Sequence, residues 1–391
     1  MPAESNRDDR KSASLAAASI ATEPGARLVC EFAAMRAILR SPKVRQAGAA
    51  ADQQDLSNPD EISFFFLDGE KHRKRRTAVA GMFSPKAIKT RHMHVMTRTM
   101  DAIVAKLQRS GSCALDELSW HMAVNVAAEI IGLTNSDTSD NLARRVQNVL
   151  ETSMGRKPGW LNKIGYRARL LFHVGMFWHH DLSPAIKARR KQPMDDVITH
   201  MVTENYSKKG MIMEALSYGG AGMMTTREFI VMSAWHLFEK PDLLERFLTR
   251  DEADQFAILE EILRLDPVAS FLYRRADDAI EGSSGEVIPK NELLCLSIRD
   301  ANTDPAATGT CPYALDPDRA KRMKAVGAYM SFGEGPHRCP GAQVALHETR
   351  VFLDRLFRLP GIRLVSEPDI SWNPHIQGYE LRGAVVTCHP A

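Results

Sequence analysis

The sequence has no run of about 18 apolar residues, so nothing in it reads as a membrane-spanning helix. Its first 25 residues, MPAESNRDDRKSASLAAASIATEPG, lack the apolar stretch of a secretory signal and read as a short disordered tail on a cytoplasmic protein. A strong excess of one charge is also missing. The 51 Lys and Arg face 48 Asp and Glu, for a net charge of +3, which argues against a nucleic-acid binder and leaves room only for a local charged patch. Cysteine is sparse, with six residues (Cys30, Cys113, Cys295, Cys311, Cys339 and Cys388), no Cys-x-x-Cys pair and no zinc-like Cys/His spacing. That excludes a disulfide framework and a structural zinc, and it fits a reducing compartment. Internal repeats are absent.

What the sequence does carry is helical periodicity. Apolar residues recur at three- and four-residue intervals through 91–108, 140–152, 211–248 and 253–265. Strand-like runs are short: RLVCEF near the start, GEVIP and ELLCLSI within 285–297, and AVVTCH at the end. The expected fold is mainly α with small β-sheets near the two ends of the chain, one large domain over 26–391 after a tail over 1–25.

One stretch stands apart. SFGEGPHRCPGAQVALHE, residues 331–348, packs three glycines and two prolines around a single cysteine and turns at once into a helical pattern. Glycines permit positive-φ turns and close backbone approach, so peptide N–H groups can face a sulfur anion. A helix beginning near Gly341 would add its unpaired N–H groups and positive dipole end.

Phe332, Gly333, Gly335, His337, Cys339, Gly341 and Ala345 fit Phe-Gly-x-Gly-x-His-x-Cys-x-Gly-x-x-x-Ala, and this stretch resembles the cysteine-ligand loop of the cytochrome P-450 superfamily. The resemblance implies the cytochrome P-450 fold over roughly 26–391, in its bacterial-type form without a membrane anchor or fused reductase. It implies a haem b cofactor whose iron takes Cys339 as proximal thiolate ligand, the arrangement that favours O–O cleavage. Phe332, Gly333, Gly341 and Ala345 would surround that ligand, with Phe332 as an apolar lid over the sulfur.

The resemblance extends to other segments. Glu261 and Arg264 match the superfamily's Glu-x-x-Arg structural pair, which a downstream arginine completes. Here that segment is irregular, leaving Ala314 or Arg319 at the position, with the spacing to Phe332 favouring Arg319. His72 and Arg76, four apart in DGEKHRKRRTAVAGMFSP, together with Arg274 and His337, match the groups that hold the haem propionates. Lys74, Arg75 and Arg338 would form a positive patch for a small acidic electron donor, a ferredoxin-type protein with its own reductase.

On the opposite side of the cofactor, EALSYGGAGMMTTREFIVMSAW should be a long helix in which Gly219, Gly220 and Gly222 invite a kink or π-bulge. The family pattern there is Ala/Gly-Gly-x-Asp/Glu-Thr-Thr, and this chain reads Ala221-Gly222-Met223-Met224-Thr225-Thr226. Thr225 is present and the acid is replaced by Met224, so protons would come through another group such as Glu228, or the reaction needs fewer by that route. Substrate-lining candidates are NPDEISFFFLD, the stretch 155–180 with Trp160, Phe172, Phe177 and Trp178, the segment 268–272, and HIQGYE. The implied activity is a haem-thiolate monooxygenase of secondary metabolism, hydroxylating a small, mainly apolar molecule with dioxygen. The alternatives are an oxidase that couples, dehydrogenates or uses peroxide, and a non-catalytic haem protein.

Overall fold

The computed structural model describes Asp8, Ala51 and residues 23–48, 58–154, 160–282 and 285–389; the side chains of 154 and 160–163 are not described. The expected tail therefore lies largely outside the described residues.

Helices dominate, and local chemistry sets their ends. The helix Met93–Ser110 stops at Gly111, whose φ of 69° is cheap only for glycine, and Leu115–Ile131 stops the same way at Gly132, with φ 97°. Asp251 caps Glu252–Leu265 by accepting the Asp254 N–H at 3.0 Å. The periodic run 211–248 is not one helix. It divides into Lys208–Gly219, a π-helical turn Gly220–Met224, Thr225–Glu239, and a further helix from Pro241, which cannot donate to a preceding carbonyl.

Thr225–Glu239 is buried from Thr226 through Leu237 and runs through the middle of the main core. Around it pack Met93–Ser110, Leu115–Ile131, Glu252–Leu265 and Ala342–Phe357, joined by Met100, Met122, Ile262 and Phe352, all 0% exposed. Each such side chain contributes about 1.5–3 kcal/mol by leaving water. A second core around Phe64, Phe177 and Met211 lies under Lys208–Gly219.

The sheets differ from the expectation of one near each end of the chain. The four-stranded sheet joins Arg27–Val29, Leu293–Ser297, Phe271–Ala276 and Val44–Gln46 in that spatial order. The three-stranded one draws Ser112–Ala114 to Val385–Thr387 and Arg363–Ser366. Pairings of such long sequence separation leave no local trace. Among the described residues no helix is long and apolar enough to cross a membrane.

Candidate active site

The loop before Ala342–Phe357 is closed by its own backbone. The Cys339 N–H donates to the Phe332 carbonyl at 2.8 Å, and Gly333 and Gly335 take φ of 68° and 69°. At Gly335 a side chain is impossible, since a Cβ would lie 2.2 Å from the Leu39 carbonyl oxygen. Glycine here lets the loop dock on the N-terminal helix Phe32–Arg40.

Cys339 then faces a cavity of about 320 Å³. Burial raises its thiol above the ordinary range, while the amides of Gly341 and Ala342 and the guanidinium groups of Arg76 and Arg338 pull the other way. These are groups that favour a sulfur anion. Phe332, Gly333, Gly341 and Ala345 share the wall with Cys339. Across the same cavity lie Gly222 and Thr225, whose Oγ1 donates to the Ala221 carbonyl at 2.6 Å, one turn back across the π-helical segment. The cavity thus has a thiol-bearing loop and an opened helical groove in one wall.

Arg76, Arg274 and His337 also line the cavity. Arg274 is 5% exposed, and burial pulls its guanidinium down to about 10, with Asp68 opposing. Among the described residues it makes no salt bridge, so the site holds a buried cation suited to an anionic group. His337 bonds through Nε2 to Asp68 at 2.8 Å and through Nδ1 to Gln46 at 3.2 Å. Its position in the wall is fixed from behind.

His72 needs correction. It is not in the cavity wall but stacks behind His337, ring centroids 4.0 Å apart, and burial with the neighbouring His337 and Arg76 charges lowers its pKa to about 4. It is a neutral ring, not a cation. Its buried Nε2 has no hydrogen-bond partner among the described residues.

Glu228 is corrected as well. It does not line the cavity; its carboxylate accepts from the Leu381 N–H at 2.8 Å and pairs with Arg227 at 2.8 Å and Arg382 at 3.0 Å. Burial raises its pKa to about 7 against the pull of Arg227 and the Leu381 amide. It ties the central helix to the C-terminal strand Gly378–Arg382. Glu228→Ala is expected to lower stability, because it removes the acceptor of the buried Leu381 N–H and leaves Glu380 as the remaining carboxylate for both Arg227 and Arg382. Thermal unfolding of the variant checks this, and unchanged stability would show that the helix and strand hold together without the Glu228 tie. Met224 is buried at 8% exposure and also lies outside the cavity wall.

Glu261 and Arg264 are buried and doubly bonded, at 2.7 Å each, and Arg319 Nε reaches Glu261 Oε1 at 3.0 Å. Ala314 contributes its carbonyl to both arginines. Arg75 leaves the expected basic patch, because it donates to the Ile62 carbonyl at 2.7 Å and is largely covered.

The sequence reading missed one helix of the wall. Ala123, Val126, Ala127 and Ile130, on Leu115–Ile131, line the cavity, as does Phe83. Small and β-branched residues on a core helix give no sign that their face is concave. Glu348 was also missed: it lines the cavity, its Oε1 has no hydrogen-bond partner among the described residues, and burial raises its pKa to about 8. An acid in an otherwise apolar helix face, nine residues after Cys339, was the available signal. Phe64, Phe65, Val268 and Leu272 come from two of the expected segments, whereas Phe172 is exposed, Phe177 is in the second core, Trp178 lies under Lys208, and Trp160 is outside the described side chains.

A thiol held by the Gly341 and Ala342 amides and a buried Arg274 guanidinium that has no salt bridge among the described residues, both in one cavity wall, fit an iron porphyrin with its metal and its carboxylates. The profile of the family described as cytochrome P450 matches residues 256–360. Cytochrome P450 107B1 of Saccharopolyspora erythraea is 26% identical over 77% of this chain and 71% of its own length. Mycinamicin IV hydroxylase/epoxidase of Micromonospora griseorubida is 24% identical over 91% and 87%. The crystal structure of CalO2 superposes with a TM-score of 0.78 at 22% identity, covering 98% of this chain and 97% of the other, a likeness of fold.

Proposed function

We propose that this chain, which belongs to the cytochrome P450 family and is a haem b oxidoreductase of the monooxygenase type, hydroxylates a small, mainly apolar molecule. We further propose that its electrons come from a separate ferredoxin-type donor. The observation that carries the reading is the placement of Cys339 and the Thr225 groove in the wall of one mainly apolar cavity.

When bound, haem supplies reductive activation of dioxygen. Cys339 would hold its iron, with the amides of Gly341 and Ala342 and the charges of Arg76 and Arg338 favouring the thiolate. Arg76, Arg274 and His337 would bind its carboxylates. Phe64, Phe83, Val126, Phe229, Val268 and Leu272 would exclude water and orient an apolar substrate. Thr225 Oγ1, whose proton rests on the Ala221 carbonyl, can turn its hydroxyl into the cavity and hold a water there by a hydrogen bond.

Exposed Lys74 and Arg338 support docking of an acidic donor near the Cys339 loop. Turnover of a library of apolar compounds with a surrogate ferredoxin and reductase tests the proposal. Product bearing one added oxygen atom is the expected result, and haem-loaded protein that oxidises nothing in the library overturns it.

Thr225→Ala is expected to raise peroxide release per product several-fold, since it removes the cavity-lining hydroxyl that the Ala221 carbonyl orients at the π-helical turn. Met224→Glu should lower that release, because a thioether has no titratable proton and a carboxylic acid has one. Simultaneous measurement of donor consumption, peroxide and product checks both. Tight coupling in wild type with no response in either variant would remove this segment from proton delivery.

A further inference from the structure

The aromatic corner of the cavity is held in an unusual way. Phe64 and Phe65 line it from a 3₁₀ turn, Phe64–Phe66, with rings 4.4 Å apart. The turn closes on itself through the Phe66 N–H to the Ser63 carbonyl and the Leu67 N–H to the Phe64 carbonyl, each at 3.1 Å, which leaves the N–H of Phe64, 1% exposed, to find a partner elsewhere. Its N–H donates to Glu214 Oε2 at 3.1 Å, from the middle of Lys208–Gly219, and Ser63, 0% exposed, hydrogen-bonds the same carboxyl.

The same helix grips the preceding residues. Lys209 Nζ meets Glu61 at 2.7 Å, and Gly210 approaches so closely that a Cβ there would lie 2.5 Å from the Asp60 carbonyl oxygen. One turn beyond Glu214, Tyr218 packs its ring on Phe64 at 5.6 Å and on Phe65 at 5.3 Å. From the other side Arg75 holds the Ile62 carbonyl at 2.7 Å.

We propose that Glu214 is a positioning residue that determines substrate size, fixing the Phe64–Phe65 wall from outside the cavity by accepting the Phe64 N–H and the Ser63 hydroxyl. The helix that carries it leads directly into the π-helical turn and Thr225, so one rigid element sets both the aromatic wall and the oxygen-side groove. A buried acid without a direct ion pair among the described residues is costly, and burial pushes its pKa up to about 7. An apolar residue would pack there without that cost but could not bind the turn.

The inference rests on the haem-thiolate reading for one of its two readouts only. In the first, amide hydrogen exchange over residues 59–67 is followed in wild type, Glu214→Ala, Glu214→Asp and Glu214→Gln. Aspartate keeps the charge but loses the reach of one methylene, whereas glutamine keeps an acceptor oxygen at the same distance. Exchange should quicken by about tenfold or more in the alanine and aspartate variants, the loss of a buried hydrogen bond, and stay near wild type in glutamine.

In the second readout, imidazole, 4-phenylimidazole and a triphenylmethyl-imidazole are titrated into the haem-loaded proteins and followed by the Soret shift. Alanine and aspartate should change the affinity ratio of the bulkiest to the smallest ligand about fivefold or more, with glutamine close to wild type. Unchanged exchange and an unchanged ratio in both shortened variants overturn the proposal. Absence of the red-shifted ferrous carbon monoxide band in haem-loaded wild type would overturn the haem-thiolate reading instead, and the exchange measurement would still decide the role of Glu214.

Discussion

Substituting Cys339 by serine is expected to abolish the strongly red-shifted Soret band of the ferrous carbon monoxide complex. Thiolate ligation is what gives that band its position, and an alcohol oxygen at the same place is a harder, far less acidic donor. No other cysteine can take over. Cys295 and Cys388 are buried elsewhere, Cys30, Cys113 and Cys311 lie outside the cavity wall, and Cys339 alone has the Gly341 and Ala342 amides against its sulfur. Cys295→Ser, an equally small change in a 0% exposed position, should keep the band and so separates ligand loss from general damage. Retention of the band in Cys339→Ser, or its absence from wild type, would mean that the thiolate assignment is wrong.

How far this site could be read from sequence depends on whether the chemistry was local. The cysteine loop was legible because its constraints are: Gly333 and Gly335 need positive φ, Gly335 admits no side chain, and the helix starts three residues after the thiol. The π-helical turn was legible for the same reason, as glycines interrupt an apolar helix at Gly219, Gly220 and Gly222. His72 was placed in the right neighbourhood but in the wall itself, because its seat behind His337 depends on a residue 265 positions away in sequence. Glu228 sat one helical turn from Thr225, and proximity along the helix suggested a shared face. The structure turns it toward Leu381 and Arg382, contacts that no local pattern reports. The same limit applies to Phe271–Ala276, whose strand pairing with Val44–Gln46 and Leu293–Ser297 is wholly long-range.

Glu261→Ala is expected to yield little haem-loaded protein. Glu261 is 2% exposed and faces two buried guanidinium groups, Arg264 at 0% and Arg319 at 1%. One carboxylate for two cations is incomplete neutralisation, and the remainder falls on carbonyl oxygens: Arg264 donates to Asn302 at 2.9 Å and Pro312 at 2.7 Å, and Arg319 to Thr308 at 2.8 Å and Cys311 at 3.0 Å. Glu261 Oε1 also takes the Asp316 N–H at 3.0 Å, so the cluster fixes the whole segment 308–319, where regular structure is scarce. Its reach extends to the thiol. Asn302, which receives Arg264 at its carbonyl, donates to Ser331 at 2.8 Å and accepts the Met330 N–H at 2.8 Å, and Ser331 directly precedes Phe332, whose carbonyl holds the Cys339 amide. Removing the carboxylate leaves two cations in a low-dielectric site, at a cost of roughly 3–5 kcal/mol for a single broken buried pair. A typical domain has only about 5–15 kcal/mol in total. Glu261→Gln, which keeps acceptor geometry at one oxygen and loses the charge, should fall between wild type and alanine. Thermal unfolding of the apo-protein and the Soret-to-protein absorbance ratio measure the two consequences separately. Arg319→Ala should lower both, because it removes the link between Glu261 and the 308–314 carbonyls. Normal haem content and unchanged unfolding in Glu261→Ala would show that segment 308–319 and the cysteine loop hold their shape without the cluster.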